Sequence, residues 1–203
     1  MSTFFKKTKH SYQPIPEDGK IVTQSFLDAC SEIVPFFDVL GSTAFAPVKS
    51  DINGNIAKLR KKLATNPEKF VTLQDIVNSE IEEKSTKAKN SATDALLWLK
   101  RALTFIRTFL EDVLTGEQDL TKCAKKAYEQ SLKKYHGWMV QGIFSLAMKA
   151  VPYRKDFIKA LGPETTEEEV LADMKEVVEM MALNIDNINA FYVQTGQESD
   201  QKV

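Results

Sequence analysis

Asp51, Asn55 and Lys58 stand at i, i+4 and i+7, a spacing that sets a carboxylate, a carboxamide and an ammonium on one face of a helix. Such a trio can accept and donate hydrogen bonds along a row, which suits a ligand carrying hydroxyls or an amide. At about 100° per residue, Val48, Ile52, Ile56, Leu59 and Leu63 centre roughly a quarter-turn from the trio. The polar row therefore borders a buried stripe. One reading is polar recognition beside an apolar cavity; the other is an intrahelical Asp–Lys arrangement with a tolerated Asn.

Trp98 has Asp94 one turn before it and Arg101 one turn after it. An indole flanked by opposite charges can stack on the C–H face of a pyranose while the charges meet its hydroxyls; a core Trp beside a surface ion pair has the same spacing. His136 follows Tyr128 and Leu132 by eight and four residues and precedes Val140 by four, which predicts a place within an apolar helical face. There it is either a satisfied core residue or the single polar anchor of a greasy ligand. Trp138 falls about 200° around the same helix. With Met139, Lys149, Tyr153, Arg154 and Lys155 it makes an aromatic and basic patch of the kind that rests at lipid headgroups, or else packs under the last helix.

Catalytic signatures are missing from the sequence. It has no Gly-x-Ser-x-Gly, no His-Glu-x-x-His and no phosphate-cradling glycine loop, and its other histidine is His10. The expectation is a protein that is not an enzyme and uses no metal or cofactor.

The elements that must position these residues are helical. Residues 1–22, with Pro14, Pro16 and Gly19, read as an arm that is mobile or laid on the surface. A single domain is expected over 23–203. Its first helix runs from Thr23 to Gly41 with a kink at Pro35, and a second begins after Ser42, near Pro47, and carries the trio to about Leu63. Asn66-Pro67 predicts the start of a short third helix, and Glu80–Lys89 a solvated connection. A central helix runs from Ser91 to Gly116, and another long one from Leu120 to Ala150, ended by Pro152. A short segment closes at Gly162-Pro163, and the capping box Thr166–Glu169 opens the last helix. Period-two alternation is lacking, so the predicted fold class is all-α, a two-layer helical sandwich.

Composition narrows the partners. Lys and Arg number 27 against 28 Asp and Glu, so no overall field draws in nucleic acid. Cys30 and Cys123 lie far apart in apolar settings and predict buried free thiols in a reducing compartment. No run approaches the ~18 apolar residues of a membrane span, and the start of the chain lacks the apolar core of a secretory leader. The cytosol is the expected location, with peripheral membrane contact.

Four segments give these pieces a common identity: Pro-Phe-Phe-Asp-Val-Leu-Gly-Ser (35–42), Pro-Val-Lys-Ser-Asp-Ile-Asn-Gly-Asn-Ile-Ala-Lys (47–58), Leu-Leu-Trp-Leu-Lys-Arg (96–101) and Leu-Lys-Lys-Tyr-His-Gly-Trp (132–138). In this order and spacing the chain resembles the glycolipid transfer protein family from about Phe26 to Ala160. The resemblance implies a monomeric, non-enzymatic carrier of glycosphingolipids that encloses the ceramide in an apolar tunnel and reads the sugar at its mouth, visiting membrane surfaces transiently. Asp51, Asn55 and Lys58 would then bond the first sugar and the ceramide amide, Trp98 would stack on the sugar and His136 would meet the amide. Phe36, Phe37, Phe45, Phe105, Phe109, Leu132, Phe144 and Phe157 would line the tunnel or core.

The chain departs from the family pattern at Asp94, where animal members commonly have an apolar residue, and in ending Gln201-Lys202-Val203 where they end Tyr-Lys-Val. Asp94 and Arg101 are thus candidate modifiers of headgroup choice. A ceramide-1-phosphate carrier, depending on Lys58 and Arg101, is the nearest alternative, although the retained Trp98 favours a neutral sugar. A lipid-responsive adaptor would instead offer Pro35-Phe36-Phe37-Asp38 to a membrane-anchored receptor, unless both phenylalanines belong to the core.

Overall fold

A computed structural model describes residues 2–41 and 43–203. Ser42, expected just before the second helix, lies outside the described residues. Among these, the elements are helices and no strand forms; one isolated bridge joins Val22 to Thr72. The helices α1 (Thr23–Ile33), α2 (Phe36–Gly41), α3 (Ala46–Thr65), α4 (Leu73–Glu82), α5 (Ala92–Leu114), α6 (Leu120–Ser131), α7 (Trp138–Met148), α8 (Arg154–Leu161) and α9 (Glu167–Thr195) make a two-layer helical sandwich. Pro35 separates α1 from α2, since its ring nitrogen cannot continue the amide ladder.

The centre is α5, which packs on α3, α4, α6 and α9. Its apolar residues occupy most of its circumference, and Leu96, Leu99, Leu103, Phe105, Ile106, Phe109 and Val113 are all fully buried. At its N-terminus the Ser91 hydroxyl accepts from Asp94 N–H at 3.0 Å. Both capping boxes, Thr72–Asp75 of α4 and Thr166–Glu169 of α9, are formed.

Three sequence expectations are corrected. The helix expected over Leu120–Ala150 is interrupted: α6 stops at Ser131, a 3-10 turn covers Lys133–Tyr135, and His136 is extended (φ −99°, ψ 134°) before α7 begins. The cause is non-local. Tyr135 C=O accepts from Val203 N–H (2.9 Å) and Gly137 N–H donates to Val203 C=O (2.6 Å), so the chain's last residue takes main-chain groups that a continuous helix would use. Second, Asn66-Pro67 forms only a turn, and α4 waits for the stronger cap at Thr72. Third, Glu80 is buried rather than solvated and holds the first turn of α5. The arm lies against the domain: Phe5, Tyr12 and Ile21 are buried, and Phe4 N–H bonds Leu161 C=O at 2.6 Å.

Candidate functional site

Because α3 lies against α5, the polar row of α3 comes up beside the first turns of α5. Asn55 Nδ2 donates to Asp51 Oδ2 at 3.2 Å, and Lys58 Nζ donates to Asn55 Oδ1 at 3.3 Å. The row is graded in exposure, with Asp51 exposed, Lys58 half-buried and Asn55 buried. Desolvation raises the Asp51 carboxyl above its ordinary range; Lys58 opposes this and the like charge of Asp94 adds to it. That electrostatic coupling ties the α3 row to the rim of α5, one turn before Trp98.

Trp98 is half-buried and lies nearly parallel to the His136 imidazole, 13° between planes and 6.0 Å between centroids. The Arg101 guanidinium stands 4.9 Å from the Trp98 ring and 3.4 Å from that of Tyr135. A cavity of about 90 Å³ opens here, lined by Asp94, Leu97, Trp98 and Arg101 on one side and by Ser199, Gln201 and Val203 on the other. The second wall is the tail after α9, which the sequence did not place at this site. Its one local signal is Gly196, a left-handed cap (φ 68°) that ends α9 and turns the chain back.

His136 sits at the break between α6 and α7, not on the helical face that its spacing predicts. It is buried, with Nδ1 3.1 Å from the Tyr128 hydroxyl. Burial, helped by the Arg101 charge, pushes its pKa down to about 4, and burial pushes the Tyr128 phenol up to about 12. The imidazole is therefore neutral at pH 7. If the phenol is the donor in the bond it shares with Nδ1, the ring proton resides on Nε2 and can serve an acceptor such as a carbonyl.

A stability consequence follows from the sign of the His136 shift. The unfolded chain, with a pKa near ~6.5, binds the proton more readily than the native one, so stability is intact above about pH 6.5 and declines as pH falls toward 4. The loss from this residue reaches about 2 kcal/mol at pH 5. An NMR titration should show the His136 ring neutral at pH 5.5; a midpoint near 6.5 would contradict the buried geometry.

From His136 an unbroken line of rings leads inward. Phe144 lies 5.0 Å from His136, Phe105 6.3 Å from Phe144, Phe37 6.4 Å from Phe105 and Phe36 5.7 Å from Phe37, with Phe109 and Phe157 at 5.9 and 6.0 Å beyond. Phe45 joins at Phe37 (5.7 Å), and Leu132 is buried beside them. These buried rings occupy the interior where the tunnel was expected. Phe36 and Phe37 are fully buried, so the receptor-binding reading of residues 35–38 is withdrawn: their side chains fill the interior.

The outward face of α7 carries Trp138 (82% exposed), Met139, Ile143 and Leu146, with Tyr153 (85% exposed) just beyond and Lys149 and Lys155 exposed among them. Ile143 and Leu146 were not distinguished from core residues in the sequence. Arg154 does not belong to this patch. It is buried, donating to the carbonyls of Val113 (2.7 Å) and Glu117 (3.3 Å) and pairing with Glu167 at 3.1 Å, because the orphan carbonyls at the end of α5 attract a cation. Among the described residues, no group of acids, histidines and cysteines suits a metal, and no helix is long and apolar enough to cross a membrane.

This arrangement has close counterparts. The sequence profile of the family Glycolipid transfer protein (GLTP) matches residues 21–163. Pleckstrin homology domain-containing family A member 8 of Danio rerio is 41% identical over 212 residues, covering 100% of this chain. The chain spans only 39% of that relative's length. The solved structure of FAPP2, described as selecting simple glycosphingolipids using the GLTP-fold, superposes with a TM-score of 0.92 at 40% identity and covers 100% of both chains. HET-C2, a fungal glycolipid transfer protein, gives 0.86 at 34% identity, covering 99% of this chain and 100% of its own. Profile, sequence and fold agree: the chain belongs to the glycolipid transfer protein family.

Proposed function

We propose that this chain carries glycosphingolipids between membranes, making and breaking no bond. What supports the reading is a hydrogen-bonding row (Asp51, Asn55, Lys58) on α3, the helix that packs on α5, together with Trp98 of α5 beside His136 and His136 beside the phenylalanine rings of the interior. In this reading the first sugar lies on Trp98 and bonds the α3 row, the ceramide amide meets His136 and Asp51, and the hydrocarbon chains part Phe37, Phe105 and Phe144 as they enter. Each buried methylene is worth about 0.8 kcal/mol, so a chain of ~15 carbons costs on the order of 10 kcal/mol to expose to water. A protein that encloses it removes that barrier.

The carrier acts as a monomer in the cytoplasm and touches membranes through the exposed face of α7 and Tyr153. With a formal net charge of −1, docking is weak and reversible, as a carrier requires. Trp138→Ser should lower the fraction bound to phosphatidylcholine vesicles by about tenfold, since an interfacial indole contributes roughly 1.5 kcal/mol. Flotation of wild type and variant with vesicles checks this, and equal binding would remove α7 from the docking face.

The reading as a whole is tested by vesicle-to-vesicle transfer of glucosylceramide, galactosylceramide and lactosylceramide. Rates no higher with the protein than without it would end it. Arg101, on which a ceramide-1-phosphate carrier would depend, is already engaged by the tail, which favours the neutral sugar.

A further inference from the structure

Lys100 and Arg101 are consecutive on α5, and both are buried at the mouth. Two adjacent cations out of water demand an anion. The tail supplies it: Glu198 Oε1 bonds Lys100 Nζ, Glu198 Oε2 lies 4.0 Å from Arg101 Nη2, and the Ser199 carbonyl accepts from the same guanidinium. Lys100 also donates to Asn189 at 2.8 Å, whereas Arg101 Nε is buried without a partner. Among the described residues, no other carboxylate lies within ion-pair distance of either cation.

The position of this pair gives it meaning. Arg101 stands over Trp98, so a sugar resting on the indole has the guanidinium as a neighbour. Around the mouth, Asp51, Asp94, Glu198 and Asp200 balance Lys58, Lys100, Arg101 and Lys134. Without Glu198 the balance turns positive beside the indole.

We propose that Glu198 is a specificity-determining residue: it occupies the anion position of the Lys100–Arg101 corner and so restricts the mouth to uncharged sugars, turning away sulfated ones. A sulfate ester would have to expel the carboxylate or lie against it, and like charges so placed oppose binding strongly. This rests on the glycosphingolipid-carrier reading and adds a selection rule to it.

The test compares extraction of galactosylceramide and 3-sulfogalactosylceramide from otherwise identical phosphatidylcholine vesicles. Wild type should favour the unsulfated lipid, and Glu198→Gln should raise the ratio of sulfated to unsulfated lipid taken up by about tenfold. Glu179→Gln makes the same change of charge on the exposed surface of α9, at a side chain 3.9 Å from Lys175 and outside the charges named at the mouth, and should leave the ratio at its wild-type value. The proposal is overturned if wild type takes both lipids equally, if Glu198→Gln leaves the ratio unchanged, or if Glu179→Gln raises it as much. Extraction of neither lipid by wild type would instead defeat the carrier reading, and the selection rule with it.

Discussion

Asp51→Asn should reduce galactosylceramide uptake by about 10- to 100-fold, the factor that corresponds to losing charged hydrogen bonds worth roughly 1.5–3 kcal/mol. The substitution keeps the shape of the side chain but replaces one acceptor oxygen with a donor. A sugar hydroxyl pair that gives two protons to a carboxylate then finds only one acceptor. Stability should hold or rise slightly, because desolvation and Asp94 already disfavour the Asp51 charge in the folded protein. Titrating the intrinsic tryptophan signal with lipid, alongside thermal melts, separates the two effects. Undiminished uptake would take Asp51 out of the binding site.

The second large effect falls on stability. Glu80→Ala should cost about 3 kcal/mol and lower the melting temperature by roughly 6–12 °C. The carboxylate accepts from Ala92 N–H and Thr93 N–H at 2.9 Å each, from the Ser91 hydroxyl at 3.0 Å and from the Thr93 hydroxyl at 2.7 Å. Placed at the positive end of the α5 dipole, it satisfies amides that the helix itself cannot. Removing it leaves buried donors without partners. Thr93 C=O also receives the Tyr192 hydroxyl at 2.8 Å, so loosening this turn loosens the contact of α5 with α9. Calorimetry of the variant decides the matter; an unchanged melting temperature would mean that solvent replaces the carboxylate at no cost.

What could be read from the chain depended on whether the cause was local. Gly116, Pro152 and the Thr166–Glu169 box act on their immediate neighbours, and the helix ends near them fall as expected, while Pro35 ends a helix where only a kink was expected. The Asp51–Asn55–Lys58 row was legible because one helix alone sets its geometry. By contrast, the break at His136 is made by Val203, 67 residues away along the chain, through main-chain groups that no side-chain pattern reveals. Glu80 looked solvated because its partners are mostly amides and hydroxyls of the next helix. Arg154 looked like a headgroup contact because its acceptors are carbonyls at the end of α5. The tail's place at the mouth was illegible for the same reason: Glu198 meets its cations only after Gly196 has turned the chain.

The buried rings of the interior have one last implication. A standing oily hollow would soak up fatty acids, detergent monomers and any other free hydrocarbon the cell contains. Here Phe37, Phe105 and Phe144 fill that space with their own side chains, so a stray aliphatic molecule must force them apart with nothing gripping its other end. A molecule tethered first by its polar end presents its chains to the same rings again and again, at high effective concentration. On the proposed carrier reading, the unloaded protein would return through water clean, its selectivity guarded by the order in which the two ends of a guest are admitted.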